Sequence, residues 1–261
     1  MSDWMARRME EPPFTAGDWL RVLWRGAVLG GLTYGCLLVM LLVRLVEAPL
    51  FGRARPVTPH ITQFVCRTAF VILRLPLVVR GNPMTGVGAT VANHASWLDI
   101  FALNAAQRGY FVAKAEVAGW AGIGWLARAT GTLFIARKGT EAKLHQQMFE
   151  DRIRAGHRLI FFPEGTSTDA LRVLPFKSTL FAAFWTHGLE RVMSIQPVTL
   201  VYHAPEGSDP RAYGWWGDME FGPHFLRTLA RRRQGRVEVI FHDPVHVDGF
   251  ADRKALSAHC E

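Results

Sequence analysis

A histidine and an aspartate lie five positions apart in the segment Asn93–Asp99, whose sequence is NHASWLD. Apolar residues typical of a strand precede this segment and a helix-like apolar pattern follows it, so the segment is predicted at a strand-to-helix junction. A nearby carboxylate can accept a hydrogen bond from one imidazole nitrogen and leave the other nitrogen free as a base. His94 and Asp99 are therefore candidates for a general base and the group that orients it.

This spacing alone is weak evidence, because a chain with ten histidines produces it by chance. Two other segments strengthen it. The run GTLFIAR at 131–137 is typical of a strand that delivers Arg137 to a loop, where its guanidinium offers a fork of donors for a phosphate or carboxylate. The run FFPEGT at 161–166 turns at a glycine, which frees backbone donors for an anion or a developing oxyanion. Glu164 in this run can orient His94, bind an acceptor hydroxyl or cap the following segment.

The elements that must position these residues alternate between short β-rich runs and longer helical runs from residue 77 onward. This alternation predicts an α/β fold: a single catalytic domain with a central, mostly parallel sheet flanked by helices, plus an N-terminal membrane-associating helical segment. Such sheets bind ligands at the carboxyl ends of their strands, where the three segments fall. The predicted strands are Leu77–Arg80, Ala89–Ala92, Tyr110–Ala113, Thr132–Ala136, Arg158–Phe162, Gln196–Tyr202 and Val237–Phe241, and the predicted helices are Trp97–Gln107, Thr140–Ala155 and Ser178–His187.

The N-terminal region contains an uncharged stretch of 18 residues, 26–43. As a helix it is about 27 Å long, close to the roughly 30 Å hydrocarbon thickness of a bilayer. Arginines flank both ends, so the charge pattern does not fix an orientation, and both a spanning and a re-entrant insertion stay open. The segment 64–79 is also apolar, and Arg67 and Arg74 in it indicate either an in-plane amphipathic helix or an ordinary solvated face.

Charge and cysteine content narrow the partners and the compartment. A formal net charge of +8 favours an anionic partner, which is a bilayer surface, an acidic carrier protein or a nucleic acid. Nucleic acid is disfavoured because no aromatic stacking motif accompanies the arginines at 231–233. Three scattered cysteines fit neither a disulfide framework nor a zinc site and favour a reducing compartment. We predict a membrane-associating helical region over residues 1–75 and a catalytic domain over residues 76–261.

The blocks NHASWLD, GTLFIAR, FPEGTS and IQPVTLVY resemble, in this order and spacing, the four motifs of the glycerolipid acyltransferase family, whose founding members acylate 1-acylglycerol-3-phosphate. The resemblance implies that His94 is the general base and that Asp99 orients it. It also implies no metal and no organic cofactor, an acyl-carrier protein or acyl-CoA as donor, a lysolipid acceptor, and a place at the cell inner membrane with the catalytic domain on the cytoplasmic side. The residues that it assigns to substrate binding are Phe134, Ile135, Arg137, Glu164, Gly165 and Thr166.

One departure from the family pattern bears on the acceptor. Many members continue the third motif as Glu-Gly-Thr-Arg, with the arginine contributing to phosphate binding, but this chain has Ser167. The longer string EGTSTDALRVLPFKSTLF, followed by WGDM, is similar to the lyso-ornithine lipid acyltransferase branch, which acylates the hydroxyl of a 3-hydroxyacyl chain on ornithine. Loss of a fork donor weakens a phosphate site, although Arg172, Lys177 or Arg137 can replace the charge. Lyso-ornithine lipid is therefore the favoured acceptor, with 1-acylglycerol-3-phosphate as the alternative and a non-enzymatic membrane lipid-binding scaffold as the alternative class.

The expected reaction transfers the acyl group directly. His94 removes a proton from a lipid hydroxyl, the oxygen attacks the acyl thioester, backbone or side-chain donors steady the tetrahedral oxyanion, and the thiolate leaves. The sequence has no Gly-x-Ser-x-Gly elbow and no cysteine beside His94, so an enzyme-bound acyl intermediate is not required.

Overall fold

Helices and strands alternate along the part of the chain that the computed structural model describes, which is residues 3–6, 9, 11–135, 142–185 and 188–261. The helices are α1 (Asp3–Ala6), α2 (Ala16–Phe51), α3 (Thr58–Leu73), α4 (Leu98–Ala106), α5 (Ile123–Ala129), α6 (Ala142–Arg154), α7 (Phe221–Ala230) and α8 (Arg253–Cys260). The strands are β1 (Leu77–Arg80), β2 (Gly88–Ala92), β3 (Tyr110–Lys114), β4 (Leu133–Ile135), β5 (Leu159–Phe161), β6 (Ser194–His203), β7 (Arg236–Phe241) and β8 (Val245–His246).

All of these strands form one sheet in the order β1-β7-β6-β2-β5-β3-β4, with β8 beside β6. The strands from β6 to β4 in that order run parallel to one another, whereas β7 and β8 run antiparallel to β6 and β1 runs parallel to β7. Strand β2 lies in the middle and is buried along its whole length, as expected for a strand covered on both faces. The prediction of a mostly parallel sheet flanked by helices is confirmed.

Helices cover both faces of the sheet because successive strand residues point in opposite directions. Ile160 packs in a core with residues of α3, α4 and α7, while the next residue, Phe161, packs in a second core with residues of α6 and α8. The segment between β2 and α4, which carries His94 and Asp99, therefore starts from the centre of a sheet that is covered on both sides.

The predicted strands match β1 to β7, with ends that differ by at most two residues, except that the predicted end at Ala136 lies outside the described residues. The two-residue β8 was not predicted. The predicted helix Ser178–His187 is a 3-10 helix over Ser178–Trp185, and positions 186 and 187 lie outside the described residues. Its apolar side chains Phe181 and Phe184 are three residues apart and both fully buried, a spacing that the tighter 3-10 turn brings to one face. Helices α7 and α8 were not predicted.

Helix α2 extends well beyond the uncharged stretch. It begins at a capping box, in which the Thr15 side chain accepts from the backbone N–H of Asp18 and the Asp18 carboxylate accepts from that of Thr15. It ends at Gly52, and the Glu47 carboxylate ties the turn by accepting from the backbone N–H groups of Val57 and Thr58. Among the described residues, α2 is the one helix long and apolar enough to cross a membrane.

One side of α2 packs on the protein and the other side is apolar and exposed. The buried residues Val22, Arg25, Leu29, Met40 and Glu47 recur at helical spacing and share one face. Large apolar side chains on the opposite side form what we call the outward face of α2, which consists of Leu20, Leu23, Trp24, Leu38, Val39, Leu42, Leu45 and Val46.

Arginines join the N-terminal helices to the α/β body through helix C-termini. Arg21 and Arg25 of α2 donate to the carbonyl oxygens of Ala230 (2.6 Å) and Leu229 (2.7 Å) at the end of α7. In the same way, Arg67 of α3 donates to Ala105 O near the end of α4 (2.8 Å). Guanidinium groups are favourable at these partially negative ends. The apolar segment 64–79 is thus not one amphipathic helix, because α3 ends at Leu73 and β1 follows.

Candidate active site

The loop between β2 and α4 carries the catalytic candidates and is fastened to the neighbouring strand β6. The Asn93 side chain donates to Leu200 O (3.0 Å) and accepts from Leu200 N (2.7 Å), which mimics a backbone pairing one residue beyond the end of β2. These two bonds fix the backbone at Asn93 against β6. The next residue, His94, is therefore held at the carboxyl end of the strands.

His94 and Asp99 form a hydrogen-bonded pair, with 2.8 Å between His94 Nδ1 and Asp99 Oδ2. Asp99 is fully buried in the first turn of α4, and its Oδ2 also accepts from the backbone N–H groups of Ala95 (2.7 Å) and Ser96 (2.9 Å). A carboxylate that accepts at Nδ1 places the proton there and leaves the lone pair on Nε2. The His94 side chain keeps 17% of its surface exposed, and no described residue hydrogen-bonds Nε2.

Two aromatic residues that the sequence reasoning missed complete the surroundings of this pair. The Tyr202 hydroxyl donates to Asp99 Oδ1 at 2.5 Å, and the Phe162 ring stacks on the His94 imidazole with centroids 4.0 Å apart. Both lie inside the family blocks, in IQPVTLVY and FPEGTS: Tyr202 is near the end of β6, and Phe162 directly follows β5. Their position inside these blocks is the sequence signal that could have identified them as site residues.

Glu164 contacts the backbone of His94 and not its ring. One carboxylate oxygen accepts from His94 N (2.5 Å) and the other from Leu174 N (2.7 Å), while the His94 carbonyl accepts from Thr168 N (2.9 Å). Burial raises the pKa of the Glu164 carboxyl to about 7, against the two backbone donors, which act in the opposite direction. Of the three roles left open from sequence, the geometry therefore agrees with positioning the His94 segment and capping the segment at Leu174.

The turn after Glu164 lies against a lysine ammonium. Gly165 has φ of 70°, and a Cβ there would lie 2.5 Å from Lys177 Nζ, so a side chain would meet both strain and a clash. Thr166 is exposed beside it. Of the cations that can replace the family arginine, Arg172 pairs with buried Asp169 (2.9 Å), whereas Lys177 lies over Gly165.

The remaining predicted binding residues lie farther from the base. Phe134 and Ile135 are half-buried on the edge strand β4, and Arg137 lies outside the described residues. Strands β5 and β3 separate β4 from β2, which corresponds to roughly 14 Å at the usual strand spacing. The structure thus groups His94, Asp99, Glu164 and Gly165, and it places Phe134 and Ile135 along the same sheet but not against the imidazole.

Comparisons with known proteins agree with an acyl-transfer site. The family model described as Acyltransferase matches residues 83–223. The chain is 58% identical over 252 residues to a lyso-ornithine lipid O-acyltransferase of Rhodobacter capsulatus, covering 97% of this chain and 91% of that protein. It is 38% identical over 181 residues to a lyso-ornithine lipid O-acyltransferase of Brucella abortus, covering 66% of this chain and 67% of that protein.

The fold is also that of a solved structure. The crystal structure of the 1-acyl-sn-glycerophosphate acyltransferase PlsC from Thermotoga maritima matches with a TM-score of 0.64 and 23% sequence identity, over 93% of this chain and 91% of that one. The sequence left open two classes, an acyltransferase and a non-enzymatic lipid-binding scaffold. The family match and the relatives decide for the acyltransferase. This chain belongs to the Acyltransferase family and is an acyl-transfer enzyme.

Proposed function

We propose that this enzyme is a membrane-associated O-acyltransferase that moves an acyl chain from acyl-carrier protein or acyl-CoA to the hydroxyl of lyso-ornithine lipid. The observation that carries the chemistry is the 2.8 Å contact between His94 Nδ1 and the buried carboxylate of Asp99. The observation that favours this acceptor is the 58% identity, over nearly the whole chain, to an enzyme of that name.

In the proposed reaction, Nε2 of His94 takes the proton of the lipid hydroxyl as its oxygen attacks the carbonyl carbon of the acyl thioester. The imidazolium that forms is stabilised by Asp99, whose Oδ2 lies 2.8 Å from Nδ1. The tetrahedral intermediate then collapses, the carbon–sulfur bond breaks, and the leaving thiolate recovers the proton from His94. The ester product and the free thiol balance the reaction without an acyl-enzyme.

The base is held by its backbone as well as by its ring. Glu164 accepts from His94 N and Thr168 N donates to His94 O, so both polar groups of that residue are bonded to the 163–177 segment. Pre-organisation of this kind lowers the cost of aligning base, hydroxyl and thioester in the transition state. Glu164 therefore acts as a positioning residue in this proposal, and Gly165 and Thr166 form the surface beside it.

For the acceptor headgroup, we assign the anion-binding role to Lys177. Its ammonium lies over Gly165, directly after the residue that holds the base, and no described residue forms an ion pair with it. A single ammonium suits one carboxylate, whereas a phosphate dianion is better matched by the arginine fork that Ser167 has replaced. Phe134, Ile135 and Arg137 belong to the acceptor- and acyl-binding surface farther along the sheet.

We propose that α2 lies in the plane of the membrane and does not cross it. Its buried face, from Val22 to Glu47, packs on α7, α5 and α3, and the helix is bonded to α7 near one end and to the start of α3 near the other. A helix that is fastened to the rest of the protein on one face near both of its ends is not surrounded by lipid on all sides, as a spanning helix would be. The outward face of α2 then enters the headgroup and acyl boundary, as in other monotopic helices.

This arrangement extends the proposal to location and domain division. A helical region over residues 1–75 anchors the enzyme, and residues 76–261 form the catalytic domain. The inner membrane and its cytoplasmic side supply both a lysolipid and acyl thioesters, and all three cysteines, Cys36, Cys66 and Cys260, are free thiols, which suits a reducing compartment.

The test is an acyl-transfer assay of the purified full chain with two acceptors, lyso-ornithine lipid and lysophosphatidic acid, each with acyl-carrier-protein and acyl-CoA donors. We expect ester formation on lyso-ornithine lipid, at a higher kcat/KM than on lysophosphatidic acid, and its loss in His94→Ala. A clear preference for lysophosphatidic acid would overturn the acceptor assignment. Transfer undiminished in His94→Ala would overturn the mechanism.

A further inference from the structure

The buried carboxylate of Asp99 divides its hydrogen bonds between local and distant donors. Its Oδ2 is held by His94, Ala95 and Ser96, all within five residues, whereas its Oδ1 accepts from Tyr202, which is 103 positions away on β6. Among the described residues, Tyr202 is the one hydrogen-bond donor to Oδ1. The Asp99 oxygen that faces away from His94 is thus held by the Tyr202 hydroxyl.

The chemistry of the phenol makes it a permanent donor. Tyr202 is buried, and the burial, together with the neighbouring charge of Asp99, raises its pKa well above the ordinary value for tyrosine. The hydroxyl therefore keeps its proton throughout the working pH range. A donor at 2.5 Å from an ionised oxygen is a charge-assisted hydrogen bond, which is stronger than one between neutral groups.

We propose that Tyr202 is a positioning residue of the acyl-transfer site, which fixes the Asp99 carboxylate through its hydroxyl and so controls how readily His94 binds and releases a proton. A carboxylate that shares its negative charge with the phenol attracts the imidazolium less strongly. His94 can then take the proton from the lipid hydroxyl and still return it to the leaving thiolate. Both steps require a base whose pKa is near the working pH. The expected change in kcat rests on the proposed function, whereas the expected change in the titration of His94 does not.

The groups facing the pair are few and come from different elements. Among the described residues, Asp99 from α4 and Glu164 from the turn after β5 are the titratable groups beside His94, and Phe162 covers one face of the ring. Tyr202 faces Asp99 from β6, and behind it stands Tyr213, with ring centroids 5.6 Å apart. Tyr213 does not bond Asp99: its hydroxyl donates to Gln234 (2.7 Å) and accepts from Gly235 N (2.8 Å).

Tyr213 therefore provides a matched control. Both tyrosines are buried and each loses one hydroxyl on substitution by phenylalanine, but only Tyr202 touches the catalytic carboxylate. The experiment titrates the His94 imidazole by NMR in the full chain in detergent, with the resonance assigned by its absence in His94→Gln. It is repeated in Tyr202→Phe and Tyr213→Phe, and kcat and KM for the acceptor are measured alongside.

In Tyr202→Phe we expect the titration midpoint of His94 to move to higher pH and kcat to fall about tenfold at unchanged KM. In Tyr213→Phe we expect neither change. A His94 pKa that stays at the wild-type value in Tyr202→Phe, or that moves equally in Tyr213→Phe, would overturn the inference. The titration needs no lipid, so a wild-type enzyme inactive on every lysolipid would contradict the proposed function and leave this result intact.

A second variant covers the case in which Tyr202→Phe does not fold. Site-specific 3-fluorotyrosine at position 202 keeps the shape of the ring and makes the phenol a stronger donor. We expect the pKa of His94 to fall in that protein, opposite to the phenylalanine variant. An unchanged value there would also count against the inference.

Discussion

The carboxyl edge of the sheet and the outward face of α2 are built on opposite principles. At the edge, directional hydrogen bonds hold each polar group: Asp99 alone accepts four of them while fully buried. On the outward face, large apolar side chains such as Leu23 and Leu45 stay exposed and their contacts need no particular direction. Catalysis requires positions to be fixed within a fraction of an ångström, whereas attachment to lipid requires mainly apolar area. The two regions should therefore fail separately.

The largest expected effect is at the base. His94→Ala should lower kcat by about 10²–10⁴ because it removes the proposed general base, while binding of the protein to lipid vesicles stays unchanged. The comparison is made with His60→Ala, which removes an exposed histidine of α3. Initial rates and vesicle flotation on the same preparations measure both properties. If His94→Ala also lost vesicle binding, the separation of the two regions would be wrong.

The next effect concerns stability at the catalytic edge. Burial raises the pKa of Glu164 from its ordinary value of 4.5 to about 7, so folding favours the protonated carboxyl. The stability from this group is complete below pH 4.5 and is lost as the pH rises through about 7. Between pH 5 and 8, the wild-type free energy of unfolding should fall by roughly 1–3 kcal/mol more than that of Glu164→Gln, which does not titrate.

Chemical unfolding at several pH values measures this difference. Glu116→Gln, which changes a carboxylate with 68% of its side chain exposed, is the control and should keep the wild-type slope. A Glu164→Gln protein whose stability followed the same pH course as the wild type would contradict the prediction.

On the outward face, charge should weaken lipid attachment without touching the chemistry. Leu23→Asp or Leu45→Asp should each reduce the vesicle-bound to free ratio by at least about tenfold, because burying a leucine contributes about 1.5–3 kcal/mol. Leu171→Asp changes an exposed leucine of the α/β body and should bind like the wild type. Rates on detergent-dispersed substrate should remain within about twofold in all three. Equal losses of binding in the three variants would argue against an in-plane α2.

The smallest effect is expected at Lys177, the cation that we propose binds the acceptor headgroup. Lys177→Ala should raise KM for lyso-ornithine lipid by about three- to tenfold, since one partly solvated charge contact is lost, with little change in kcat. Lys254→Ala, at the start of α8, is the matched substitution and should have no effect. A fall in kcat at constant KM in Lys177→Ala would assign the residue to chemistry and not to headgroup binding.

Local patterns were sufficient to predict much of this architecture. Strands β1 to β7 follow from short apolar runs between turn residues, and the His94–Asp99 contact follows from a loop too short to separate the two side chains. Distant contacts were not accessible in this way. The bond from Tyr202 to Asp99 joins residues 103 positions apart, and only the placement of β6 beside β2 creates it.

Other differences also have physical causes. The order β2-β5-β3-β4 places two strands between His94 and Phe134. The first two family motifs follow one another in the sequence, but their residues are therefore not in contact. Glu164 bonds a backbone N–H, which a sequence does not display as a partner. Strand β8 has two residues, too few to give a period. The domain boundary near residue 75 and the role of Arg137 stay predictions.

The pairing of β1 with β7 has a consequence for biosynthesis. Leu77 pairs with Val237, so the strand that directly follows α3 waits for a partner made about 160 residues later. At usual elongation rates this delay is roughly 10–30 s. During that time α2 and α3 are complete, but β1, which follows them, has no partner strand. A bilayer close to the ribosome would shield these helices over that interval, and synthesis without lipid or detergent should favour aggregation of nascent chains.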